Sequence, residues 1–150
     1  MKKLIILFVV GLLGCSSAEN QYDESKYEYV NDFKAYMKDV FNEPIKSNHS
    51  YFVIPLTSCE QCVDSALINL CVYKLKWDVV FTGQTEDQNR LNYISKIRQN
   101  YSCFDDSTNQ ISEFAVSIAI PTLLKTDSSI KNFGKYEFHY GSWVNFNPKL

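Results

Sequence analysis

Positive charge is in short supply in this 150-residue chain, and the shortage removes a class of functions. With Lys2 and Lys3 set aside, 13 of the 15 Lys and Arg face 17 Asp and Glu, a formal net charge of −4. The chain has no basic stripe, and a mildly acidic body repels phosphates, so no nucleic-acid partner is expected. Histidine is scarcer still, with His49 and His139 the only two. A zinc site normally takes four Cys or His ligands, and neither a second Cys-x-x-Cys nor a His pair lies near Cys59 and Cys62. No metal and no dissolved cofactor is therefore expected. The apolar run Leu4 to Leu13, ten residues, is too short to span a bilayer. There is no internal repeat and no low-complexity block, and the length suits a single core.

What the N-terminus does have is a basic start, the apolar run, and then Gly14-Cys15-Ser16-Ser17. A basic segment followed by a short apolar stretch ending in a small residue describes an export signal. Leu12-Leu13-Gly14-Cys15 resembles the lipobox of bacterial lipoproteins, in which cleavage precedes a cysteine that becomes lipid-modified. A plain secretory signal with an accidental cysteine is the alternative. Residues 16–26 are polar with few apolar anchors and read as a tether.

Along the mature chain, Tyr29, Val30, Phe33, Tyr36, Met37, Val40 and Phe41 recur at three- and four-residue intervals, one stripe of a helix. Pro44 ends it by pushing the preceding residue out of the helical region. Tyr51–Pro55 is short, aromatic and β-branched, which suits a buried strand. Ala66, Leu67, Leu70, Cys71 and Leu75 make the face of a second helix. Residues 77–82 form a second strand, and Gly83 lets the chain turn away. Thr85 and Gln88 match a capping box opening a third helix, with Leu91, Ile94 and Ile97 inward. Residues 99–112 are polar and irregular, with a short helical turn over 112–115. A strand-like run covers 116–124, and two more cover 129–133 and 136–140. The order implies an α/β fold with a C-terminal antiparallel hairpin.

The densest chemistry sits at Cys59-Glu60-Gln61-Cys62, four residues past the first strand and opening the second helix. Two cysteines at this spacing close a small disulfide with little backbone movement. At a helix N-terminus the unpaired amides and the dipole stabilise a thiolate on the first of them. A thiolate beside a partner thiol is the minimum machinery for thiol–disulfide exchange. A static local disulfide is the structural alternative. Glu60 works the other way: a carboxylate beside Cys59 disfavours the thiolate, and no Lys, Arg or His lies between Ile54 and Ile68 to offset it.

The strand–Cys59-Glu60-Gln61-Cys62–helix unit, with Ile120-Pro121-Thr122-Leu123-Leu124 far downstream, resembles the thioredoxin superfamily, in particular its exported, membrane-anchored thiol–disulfide oxidoreductases. The match in element order runs from about residue 50 to residue 140. The resemblance implies a central mixed sheet flanked by helices, with a cis Pro121 packed against the cysteines. It also leaves the backbone of Ile120 open to an extended substrate segment, a strand-addition mode. Ser58 stands where a tryptophan often precedes the first cysteine, and neither residue between the cysteines is proline. The segment 142–150 leaves little room for the family's final helix.

The chain then divides into a lipoprotein signal peptide (1–14), a lipidated flexible tether from Cys15 (15–27) and a thioredoxin-like domain (28–150). Cys59 is the expected nucleophile, Cys62 the resolving thiol, Pro121 the third catalytic-site residue, and Ser58 and Ile120 substrate-binding positions. Cys71 and Cys103 either form a structural disulfide across the long loop or stay two separate buried thiols. Later histidines pair with two cysteines in copper-delivery relatives, but there three residues separate the cysteines where two do here, so both histidines are read as solvated. The expected activity is exchange with disulfides or thiols of exported proteins, in the reductive direction, regenerated by an unidentified membrane electron donor. The expected location is the periplasmic or cell-surface side of a bacterial membrane, held there by the lipid, with the outer membrane favoured. The rival is a non-catalytic surface lipoprotein of the same fold that binds a peptide or partner protein.

Overall fold

The structure is a computed structural model that describes residues 30–131 and 133–139, with the backbone of 142–143. The expected signal peptide (1–14) and tether (15–27), with Cys15, lie outside the described residues. Ten elements follow one another: α1 (Val30–Phe41), β1 (Ser50–Pro55), α2 (Glu60–Val72), β2 (Asp78–Thr82), α3 (Gln88–Arg98), β3 (Ser102–Asp106), a 3-10 turn (Gln110–Phe114), β4 (Thr122–Thr126), β5 (Phe133–His139) and β6 (Ser142–Trp143).

The strands lie in the order β3-β2-β1-β4-β5, an open mixed sheet, with the two-residue β6 added on β5. β1, β2 and β3 are parallel, in register from Tyr51–Asp78 to Pro55–Thr82 and from Asp78–Ser102 to Thr82–Asp106. Parallel neighbours need crossover connections, and α2 and α3 supply them. β4 returns antiparallel beside β1, and β5 antiparallel beside β4, which makes the expected C-terminal hairpin.

Alternation along the strands loads both faces. Phe52, Ile54, Val79, Phe81, Leu123 and Phe138 pack with Val63, Ala66, Leu67 and Leu70 of α2 and Ile94 and Ile97 of α3. On the other face Tyr51, Val53, Val80, Leu124 and Phe133 pack with Phe33, Tyr36 and Met37 of α1. A strand covered on both sides has no polar face, so β1 and β2 read as continuous apolar runs.

α1 ends at Phe41, before Asn42-Glu43-Pro44 as the sequence indicates: Asn42 takes a left-handed φ of 55°, and the Glu43 N–H bonds back to the Met37 carbonyl at 3.1 Å. Other local expectations change. α3 is capped by Asp87, whose Oδ1 accepts from the Asn89 and Arg90 amides at 2.8 and 3.0 Å. Thr85 lies two residues upstream of that cap, accepting from the Asp87 N–H. The buried stripe of α3 is Arg90, Ile94 and Ile97, while Leu91 is 41 % exposed. β3 occupies part of the stretch expected to be irregular. The run 116–124 yields a strand only from Thr122, and the two runs beyond 128 are one strand, β5. Gly83 turns the chain after β2 with φ +75°, and a Cβ there would lie 3.2 Å from the Thr57 methyl in the loop before the cysteines.

Candidate active site: the Cys59–Cys62 turn

β1 ends at Pro55, and the Leu56 N–H bonds across to the Thr82 carbonyl at 2.9 Å, which anchors the start of the loop on β2. The chain then turns through Thr57 and Ser58, whose N–H returns to the Pro55 carbonyl at 3.0 Å, and enters α2 at Cys59. Cys59 is therefore the N-cap residue, with φ −44° and ψ 112°. It is exposed, while Cys62, three residues on, is buried. This division between an accessible and a shielded thiol is the one the sequence suggests.

The two sulfurs are 2.8 Å apart, with the Cys62 S–H donating to Cys59. A disulfide bond is about 2.05 Å, so the pair stands as a dithiol. The Cys59 thiol is held below its ordinary value of 9.0. The hydrogen bond from Cys62 contributes most, followed by the Cys62 amide; desolvation opposes them, and the Gln61 amide adds a smaller lowering. Neither amide makes a full capping hydrogen bond to the sulfur, so the thiol partner is the larger effect. The orphan amides of a helix start supply the rest.

The Glu60 side chain is 81 % exposed, with Oε1 4.0 Å from Nη2 of Arg90. Arg90 is the residue that sequence reasoning missed. It arrives from α3 and is 9 % exposed, and it donates to the carbonyls of Leu56 and Glu60 at 3.1 and 3.3 Å and to Asp64 Oδ1 at 2.7 Å. A signal was present: Arg90 lies at i, i+4, i+7 with Ile94 and Ile97, the spacing of an inward face.

The other predicted residues divide. Pro121 is buried and precedes Thr122, which pairs with Val53, so it enters β4 at the sheet end from which the cysteine loop departs. The peptide bond before it is trans, against the cis expectation. Trans is the common state for X–Pro, and a proline starting a strand forgoes no ladder donor. Its carbonyl accepts from the Phe138 N–H at 2.8 Å. The Ile120 carbonyl accepts from the Thr122 hydroxyl at 2.8 Å, so that acceptor is already engaged. The Ser58 hydroxyl oxygen is buried without a hydrogen-bond partner.

Cys71 and Cys103 both remain thiols at the sheet end opposite Cys59. Cys71 is exposed near the end of α2, not on its apolar face. Cys103 pairs with Val79 in β3, and burial, joined by the negative charge of Asp105, pushes its thiol up to about 11. Tyr101 lies between these segments and donates to the Leu70 and Tyr73 carbonyls at the end of α2. His49 is not solvated as expected: its ring packs against Tyr51 with centroids 5.0 Å apart. Its Nε2 is 3.1 Å from Asp78 Oδ2, close enough to pair but not aligned as a hydrogen bond. His139 is more open and sits 3.3 Å from Glu137 Oε2.

Among the described residues no group of His, Cys, Asp and Glu is arranged to hold a metal ion. No helix among them is long and apolar enough to cross a membrane. Two shallow depressions lie on the α2–α3 side, and neither Cys59 nor Cys62 lines them. One, about 330 Å³, is lined by Leu56, Phe81, Gly83, Thr85 and Ile94, and the other, about 350 Å³, by Gln61, Asp64, Ser65 and Ile68. No protein-family model, curated protein or solved structure matches the chain.

Proposed function

We propose that this protein is a thioredoxin-like thiol–disulfide oxidoreductase acting on exported proteins through Cys59 and Cys62. The observation that carries the reading is the exposed, acidified Cys59 sulfur at a helix start with a buried thiol 2.8 Å behind it. A static structural cysteine pair has no use for that asymmetry.

The reaction follows from the placement. The Cys59 thiolate attacks one sulfur of a substrate disulfide, forming a mixed disulfide and expelling the other substrate sulfur as a thiolate that takes a proton. Cys62 then loses its proton and attacks the Cys59 sulfur. The Cys59–substrate bond breaks, the second substrate thiol leaves protonated, and a Cys59–Cys62 disulfide forms. Two electrons pass from protein to substrate, and a dithiol donor at the membrane returns them. Cys15 carries the lipid that holds the domain on the outer side of a bacterial membrane, outer membrane favoured.

Incubating the reduced protein with a disulfide-linked peptide tests this. Native protein should reduce it in a two-electron step, Cys59→Ser should be inert, and Cys62→Ser should accumulate the mixed disulfide. Activity surviving in Cys59→Ser would sink the assignment, and native protein that leaves the peptide disulfide intact would favour the rival, a peptide-binding lipoprotein. In cells, Cys15→Ser should release the protein from membranes; unchanged membrane association would refute the anchor.

A further inference from the structure

A buried guanidinium needs partners for its donors, because an uncompensated charge away from water is costly. Arg90 finds all of its partners in one short stretch of chain. Nη1 reaches the Leu56 carbonyl, three residues before Cys59; Nη2 reaches the Glu60 carbonyl, between the cysteines; Nε reaches the Asp64 carboxylate, two residues after Cys62. The planar fork of arginine fixes these three points relative to one another in a way a lysine ammonium does not. Asp87, capping α3 through the Arg90 amide, fixes the base of the same side chain.

We propose that Arg90 is a positioning residue for the dithiol: reaching over from α3, it clamps Leu56, Glu60 and Asp64 on both sides of Cys59 and Cys62. The clamp sets how the first turn of α2 presents its amides and the Cys62 thiol to the Cys59 sulfur. This rests on the exchange reading above. The positive charge itself is matched by Asp64 at 2.7 Å and by Glu60 at 4.0 Å, so Arg90 acts through geometry rather than as a cation beside the thiolate.

The test is the pH dependence of iodoacetamide alkylation at Cys59 in the full chain, read peptide by peptide so that Cys71 serves as an internal reference. In native protein the midpoint for Cys59 should lie below that for Cys71. Arg90→Lys keeps the charge and loses the fork, and Arg90→Met loses both. Both should move the Cys59 midpoint up and slow exchange with a disulfide peptide at pH 7 by on the order of tenfold, one unit of midpoint being a tenfold change in thiolate. Asp64→Asn leaves both backbone bonds from Arg90 in place and should not raise the midpoint. Folded Arg90 variants with a native Cys59 midpoint would overturn the inference, as would an equal rise in Asp64→Asn. If neither Arg90 variant folds, Arg90 is a stability element and the inference also fails. A native Cys59 that titrates like Cys71 would overturn the exchange reading itself, and the inference with it.

Discussion

At the scale of single residues, the dithiol was legible and its setting was not. Cys59 and Cys62 carry their meaning within four positions, because helix-start amides and a neighbouring thiol are local. Arg90 acts on that turn from 26 to 34 residues away, so a search for charge confined to Ile54–Ile68 could not find it. The environment of Cys103 was equally hidden, since nothing in Ser102–Asp106 announces a strand beside Asp78. Its consequence can be measured. The thiol is raised from 9.0 to about 11, chiefly by burial. The folded state therefore holds the proton more tightly than the unfolded chain. This contribution to stability is intact below about pH 9 and is lost as pH climbs toward 11. Cys103→Ala should lose less stability than the native protein between pH 8 and pH 10.5 in chemical unfolding. Parallel losses in the two would disprove the assignment.

At the scale of elements, the apolar runs of β1 and β2 and the stripes of α1 and α2 were readable because burial on one or both faces leaves a periodic mark. β3 was not, because it is an edge strand of Ser-Cys-Phe-Asp-Asp with only Asp106 buried. Asp106 is there to accept from the Gln110 and Ile111 amides at 2.8 and 2.9 Å and from the Tyr36 hydroxyl at 3.1 Å, a polar role that hydrophobic patterning does not register. In α3 the stripe was read with Ile94 and Ile97 in place but Leu91 for Arg90, since Leu91 looks like a core residue and Arg90 does not. The helix therefore tests its own orientation. Ile94, 3 % exposed, packs under the sheet, and Ile94→Ala should cost about 2–5 kcal/mol. Leu91→Ala, on the 41 % exposed side, should stay within about 0.5 kcal/mol. Urea unfolding of both variants decides it, and equal losses would mean that α3 is rotated from the position described.

At the scale of the whole molecule, the α/β architecture followed from the order of elements, and the sheet gives it a functional end. The parallel strands β1, β2 and β3 direct their C-terminal ends toward the Cys59 loop, Gly83 and the 3-10 turn, and Pro121 enters β4 at that same end of the sheet. A redox potential belongs to this scale, because it compares two states of the entire fold, dithiol and disulfide. The potential rises when the reduced form is specially stabilised, as it is in a strong oxidant with a very acidic thiolate. Here the Cys59 thiolate is favoured by the Cys62 thiol and two amides. The nearby guanidinium is committed to Asp64 and the backbone, and the body carries a formal charge of −4 once Lys2 and Lys3 are set aside. The reduced form gains moderate stabilisation and no more. The Cys59/Cys62 couple should therefore lie nearer to thioredoxin's potential of about −270 mV than to the strong oxidant's of about −120 mV. Equilibration with glutathione buffers measures it. A value above about −170 mV would mean that the thiolate has a stabilising partner other than those named here, and that the protein works as an oxidant.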